Sequence, residues 1–154
     1  MRVRDLMRLN EPVAIGSYHF DAEGIIAFAS KYDPHFFHVD AEKAKDSLFG
    51  DLCASGWHVA AAAMKLNVAH NQKEALRLKA EGHEPPKLGP SPGIRDLRWL
   101  KPVFAGDTIA FSLTFLGDGP GYRPDYEICD IRFEAINQNG ETVMRFDSRV
   151  VEFV

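Results

Sequence analysis

The chain has 154 residues, 45% of them hydrophobic and 26% charged, with a formal net charge of −4. That length suits one domain, 1–154, with a core of its own. An acidic total without a basic run argues against a nucleic-acid partner or an anionic membrane surface, and no apolar run is long enough to span a bilayer.

Met1 to Asp5 lacks the apolar stretch of a secretion signal. Cys53 and Cys129 have no CxxC or histidine spacing that would make them metal ligands. The expectation is a cytoplasmic protein with both thiols reduced in the core and no metal. Residues 1–12 are polar and end in Asn-Glu-Pro, which reads as a surface lead-in. Val13 to Phe20 is the first expected strand, and Asp21 stands where a helix needs a cap. Behind it Ile25, Ile26, Phe28 and Ala29 recur at helical spacing. That helix should stop at Tyr32-Asp33, because the residue before a proline is pushed out of the α region. Asp40 caps a short helix opening with Ala41 to Lys45, with Gly50 as its stop.

Ser55 is the third cap, and from Gly56 to Ala80 little breaks a helix before Gly82. The first half (Trp57, Ala60 to Ala63, Met64, Leu66, Val68) is apolar on nearly every side, which predicts burial. The second half, from Asn71, is mostly charged and should project into solvent. His83 to Pro92 is a proline-rich loop in which no regular structure is expected. From Gly93 the period changes to two. Ile94 to Leu100, the Ile109-Phe111-Leu113-Phe115 series and the Cys129-Ile131-Phe133-Ala135 series are strands, and Asn139-Gly140 signals a hairpin into Thr142 to Phe153. A strand, helical segments, one long helix and then consecutive antiparallel strands make an α+β order.

Two stretches carry chemistry. Asp33 and His38 bracket Pro34, which breaks the helix and lets a turn fold the imidazole back towards the carboxylate. Such a pair sharing one water can take its proton with one group and return a proton to a nearby carbon with the other. On spacing alone, the plainer reading is a turn cap and a histidine packed beside Phe36 and Phe37. Ser55-Gly56 adds a helix start whose first amides are unpaired and carry partial positive charge, with a glycine that admits a carbonyl close to the backbone. The plainer reading there is an ordinary cap. A base, an acid and an oxyanion site that fit one reaction are more telling together than singly.

These residues resemble the MaoC-like dehydratase family, also called hydratase 2 or (R)-specific enoyl-CoA hydratases. Tyr32-Asp33-Pro34 through His38-Val39-Asp40 is similar to the family's Asp-x4-His segment. Phe49 to His58 is similar to its run into the central helix, and Ser91 to Ile94 with Pro102 to Thr108 to the strand and turn that follow. Asn137 to Glu141 fits as well, so the likeness runs over about residues 13–154. It implies a hotdog fold, a curved antiparallel sheet around a long central helix, and a homodimer whose sheets join edge to edge. It also implies a hydro-lyase that adds water reversibly to a trans-2-enoyl thioester, giving the (3R)-3-hydroxyacyl product, with coenzyme A only as part of the substrate and no cofactor. Asp33 and His38 would jointly activate the water, and the Gly56 amide would polarise the thioester carbonyl.

This chain departs from the compact hydratases in having Ser55-Gly56 where they have His-Gly. It also has about Met64 where some members have a serine near the dyad, and a longer Asn71 to Pro92 segment that reads as decoration. Ser55 and His58 are further polar groups for the pocket, and Arg95, Arg98 and Lys101 are candidates for the coenzyme A phosphates. The alternatives are a non-catalytic acyl-thioester-binding or partner subunit of the same fold, and a hotdog thioesterase. The latter usually draws a carboxylate from the long helix, and Gly56 to Met64 contains none.

Overall fold

A computed structural model describes residues 1–154. Its elements are α1 (Val3–Leu6), β1 (Pro12–His19), α2 (Ala22–Tyr32), α3 (Phe36–Val39), α4 (Ala41–Ala44), α5 (Gly56–Ala80), β2 (Lys87–Leu88), β3 (Gly93–Trp99), β4 (Thr108–Pro120), β5 (Tyr126–Ile136) and β6 (Thr142–Phe153).

The three expected caps are all made. Asp21 accepts from the Gly24 amide, Asp40 from Glu42 and Lys43, and Ser55 from Trp57. Helix α2 ends at Tyr32, the position set by Pro34 two residues on. Helix α4 stops at Ala44, earlier than Gly50, because the Ser47 hydroxyl donates to the Ala44 carbonyl and turns the chain. The short helix α3, which puts His38 on its last turn, was not expected from the proline-broken spacing.

The strands form one antiparallel sheet in the order β1-β4-β5-β6, and the far edge of β6 is shared by β2 at one end and β3 at the other. Ile109, Phe111, Leu113 and Phe115 on β4 and Cys129, Ile131, Phe133 and Ala135 on β5 point inward, as their period of two requires. Irregular register in β1 at Ala14/Gly16 and in β4 at Phe115/Gly117 gives the sheet its curl. Gly16 has a φ of +126° and lies so close to Leu66 of α5 that a Cβ there would stand 3.3 Å from its methyl group. The hairpin between β5 and β6 falls at Asn139-Gly140, where the Asn137 side chain accepts from the Asn139 and Glu141 amides. A curved sheet wrapped around a long helix is the hotdog arrangement that the family resemblance implies.

Helix α5, 25 residues and about 37 Å long, is buried on one face only. Val59, Ala62 and Ala63 pack inward, while Trp57, Met64 and Val68 are 55%, 44% and 47% exposed. The expectation of burial on all sides fails because the chain has a single sheet and no second layer for the opposite face. The second half does not simply project either. Leu78 is 1% exposed and lines a groove with Val3, Leu6, Pro85 and Leu88.

The first residues are also more than a surface lead-in. Glu152 on β6, fully buried, accepts from the Val3 amide at 2.8 Å and has the Arg2 guanidinium 3.2 Å away, pinning α1 to the sheet. The proline-rich loop holds one piece of regular structure, Lys87–Leu88, which lies between Pro86 and Pro90 and pairs with Glu152 and Phe153. Two residues free of proline are enough to donate and accept along an edge.

Candidate active site

Asp33 sits at the end of α2, where Pro34 stops the helix, and His38 lies in α3. The next segment, Leu52 to Ser55, is held on both sides. The Cys53 amide donates to the Phe37 carbonyl, Ala54 to Val103, and Ala105 back to Leu52. This fixed backbone presents the Cys53 carbonyl to His38, whose Nδ1–H donates to it at 2.6 Å. With Nδ1 so engaged, Nε2 is the nitrogen that faces Asp33, 3.4 Å from Oδ2. His38 is 7% exposed, so the ring is held by its packing as well as by this bond.

The other Asp33 oxygen is also occupied. His35 Nδ1 lies 2.5 Å from Oδ1, and the His35 ring stacks on Phe37 at 5.5 Å with the planes 4° apart. Burial pushes the Asp33 carboxyl up, but hydrogen bonds from His35 and then Ser55, with the charges available on His38 and His35, outweigh it. The carboxyl is held below its usual 3.8. Burial, with Asp33 and Asp51 nearby, raises the Cys53 thiol to about 11, so it stays protonated at neutral pH.

Ser55 is completely buried and caps α5. Gly56, the first helical residue, donates its amide to no acceptor, as the geometry of a helix start dictates. Trp99 comes over it from β3. Its indole N–H donates to the Gly56 carbonyl at 3.0 Å, and its ring meets Trp57 edge to face at 4.9 Å. A Cβ on Gly56 would stand 2.3 Å from the Trp99 ring, so only glycine fits under the indole. Asp33, His35, His38 and Gly56 line one cavity of about 400 Å³, with Trp57 and Trp99 among its apolar walls.

The remaining sequence-predicted residues divide. Lys101 lines this cavity and pairs with Glu141. Arg95 and Arg98 do not line it; Arg95 is tied to Asp130 at 3.1 Å, and Arg98 is exposed on β3. His58 lies outside the cavity as well. It is buried in an aromatic box, stacked on Phe28 at 4.6 Å and edge-on to Phe20 at 4.9 Å. Its position on α5, one residue past Trp57, turns it to the opposite side of the helix start from the cavity. Burial lowers its pKa from 6.5 against the opposing effect of Asp21, so the ring packs neutral.

Two site residues were not read from the sequence. His35 has no partner pattern in the sequence and reads there as surface or structural, although a histidine two places after an aspartate and next to a helix-breaking proline is within reach of that carboxylate. Trp99 was assigned to a strand face, and no local signal announces that the strand passes over Gly56.

Known proteins share this fold. Residues 7–127 match the model of the family described as MaoC like domain. The fold is similar to that of a MaoC-like dehydratase from Rhodospirillum rubrum, at 32% identity and a TM-score of 0.79, over 99% of this chain and 97% of that one. It is also similar to an (R)-hydratase from A. caviae involved in PHA biosynthesis, at 19% identity and a TM-score of 0.61, over 94% and 96% of the two chains. An uncharacterized Bacillus subtilis protein, YdeM, is 26% identical over 116 residues, which is 75% of this chain and 74% of that protein.

Proposed function

The chain belongs to the MaoC-like domain family, and from the groups around its cavity we infer that it is a hydro-lyase acting on an enoyl thioester. The reaction is reversible addition of water to a trans-2-enoyl thioester, of coenzyme A in our reading, giving the (3R)-3-hydroxyacyl thioester. The observation that carries this is the orientation of His38. Its Nδ1–H is spent on the Cys53 carbonyl, so a neutral ring turns an unprotonated Nε2 to Asp33 Oδ2 across 3.4 Å. Two proton acceptors side by side suit a water that donates to both.

In the hydration direction the water oxygen forms the bond to C3 while the Asp33/His38 pair takes one of its protons. The C2–C3 π electrons move towards the carbonyl, and the enolate oxygen that develops is met by the Gly56 amide at the positive end of α5. The pair then delivers a proton to C2, which closes the cycle with no proton gained or lost. These groups supply the acid, the base and the oxyanion donor, and the reading requires no metal or redox cofactor. In this reading Lys101, which lines the cavity, would meet a coenzyme A phosphate, with Arg98 on β3 as a second cation.

We place the working form as a homodimer in the cytoplasm. The outer edge of β3 is unpaired, and Ile94 and Trp99 on it and Leu100 just after it are 48%, 42% and 50% exposed, a combination that a second copy would cover. No helix is long and apolar enough to cross a membrane.

Loss of enoyl-thioester absorbance on adding the protein tests the reaction. Asp33→Asn and His38→Ala should each lower the rate by roughly 10²–10⁴-fold while the fold is retained. Equal rates in wild type and both variants would remove the pair from the mechanism. A folded but inert wild type would favour the partner-subunit reading instead.

A further inference from the structure

The Asp33/His38 pair has a third member. The geometry points to His35 as a positioning residue that locks the Asp33 carboxylate, holding Oδ1 so that Oδ2 alone is turned to His38 and the substrate water. This rests on the hydro-lyase reading for its catalytic consequence, but the contact itself stands apart from it.

Several independent observations converge on His35. Its Nδ1 is 2.5 Å from Asp33 Oδ1, a close contact in which the ring N–H donates to a charged acceptor. Its amide donates to the Asp33 carbonyl at 2.9 Å, closing the turn around Pro34, and its ring lies flat on Phe37. His35 is also the residue that opens α3, so the helix carrying His38 starts from the group that holds Asp33. The two oxygens of Asp33 are thereby divided, Oδ1 to His35 and Oδ2 to His38. A carboxylate with one oxygen held cannot rotate to offer the wrong one, and a base misplaced by about an ångström costs on the order of a hundredfold in rate.

The His35 side chain is 69% exposed, so its removal opens no core. The other groups facing Asp33 are Ser55 at the start of α5, His38 of α3 and the Cys53 thiol, with Asp51 behind Cys53. Lys101 enters the same cavity from the segment after β3. Among these His35 is the one whose N–H lies within 3 Å of the carboxylate.

The test compares wild type with His35→Ala and His35→Asn, in which the amide places an N–H near the position of Nδ1. For His35→Ala, kcat for enoyl-coenzyme A hydration should fall roughly ten- to a hundredfold with KM changed by less than about twofold. The acidic limb of the pH–rate profile should move to higher pH, because Asp33 has lost a donor to its charged form. His35→Asn should recover most of kcat. An unchanged kcat and acidic limb in His35→Ala would overturn the assignment, as would a loss that is the same at every pH and that asparagine does not restore. The Asp33 carboxyl carbon, followed by NMR titration, reads the contact without any turnover. It should titrate at higher pH in His35→Ala than in wild type, and identical titrations would overturn the assignment. An inert wild type with a displaced Asp33 titration would therefore refute the hydro-lyase reading while supporting the role of His35.

Discussion

Gly56→Ala is the most exacting single substitution that the site allows. The added Cβ would stand 2.3 Å from Trp99 Cε2, against an ordinary contact of 3.4 Å or more, so the indole must retreat by about 1.1 Å. Moving that far breaks the 3.0 Å bond from its N–H to the Gly56 carbonyl and disturbs the edge-to-face contact with Trp57. Overpacking of this kind costs about 1–3 kcal/mol and the lost hydrogen bond about 1 kcal/mol, offset by about 1 kcal/mol from the better helix former. The net is a loss of about 1–3 kcal/mol, or roughly 3–10 °C in Tm for a chain of this size.

Denaturant unfolding of Gly56→Ala, Trp99→Ala and the double variant, at one protein concentration, isolates the contact. With Trp99 truncated the methyl group has room, so Gly56→Ala should be neutral or slightly stabilising in that background, a coupling of about 2 kcal/mol. Simple additivity of the two single costs would show that Gly56 is not a glycine on account of Trp99. Hydration activity should follow the same cycle, since a displaced helix start carries the oxyanion amide with it.

The acid sensitivity of the fold should depend on His58. Its folded-state pKa is lowered by burial below 6.5, so the stability gained by burying the neutral ring is fully present above 6.5 and is lost as the pH falls through the lowered value. The drop in Tm between pH 7.5 and pH 5.5 should accordingly be smaller in His58→Phe, and an undiminished drop would place the acid-sensitive group elsewhere. Glu152→Ala should cost about 1–3 kcal/mol, because it leaves the buried Val3 amide without its acceptor, whereas Arg2 keeps Glu127 at 2.9 Å. The same change should speed hydrogen exchange at Val3. Exchange as slow as in wild type would mean that α1 is held by its apolar contacts rather than by this carboxylate.

What the sequence determined by itself is local. Caps at Asp21, Asp40 and Ser55, the stop at Pro34, and the periods of β4 and β5 each depend on groups within a few residues of one another. Each of these was legible, as was the placing of Asp33 and Gly56 at the ends of their elements. The resemblance of those stretches to the MaoC-like family then supplied an architecture that the alternation alone left as an α+β order.

The tertiary structure decided everything that depends on what a given face meets. A helix apolar all round was read as buried all round, but the sheet covers one side of α5 and leaves Trp57, Met64 and Val68 exposed. His58 and His35 look alike in the chain; one lies in a box of Phe28 and Phe20, while the other reaches a carboxylate. Arg95, Arg98 and Lys101 share one short stretch, and only Lys101 lines the cavity, because the chain has left β3 by then and turned inward at Pro102 and Val103. Spacing along a chain states which face of an element needs a partner. The partner itself comes from residues tens of positions away, as Trp99 does for Gly56 and Glu152 for Val3, and only the closing of the sheet around the helix brings them together.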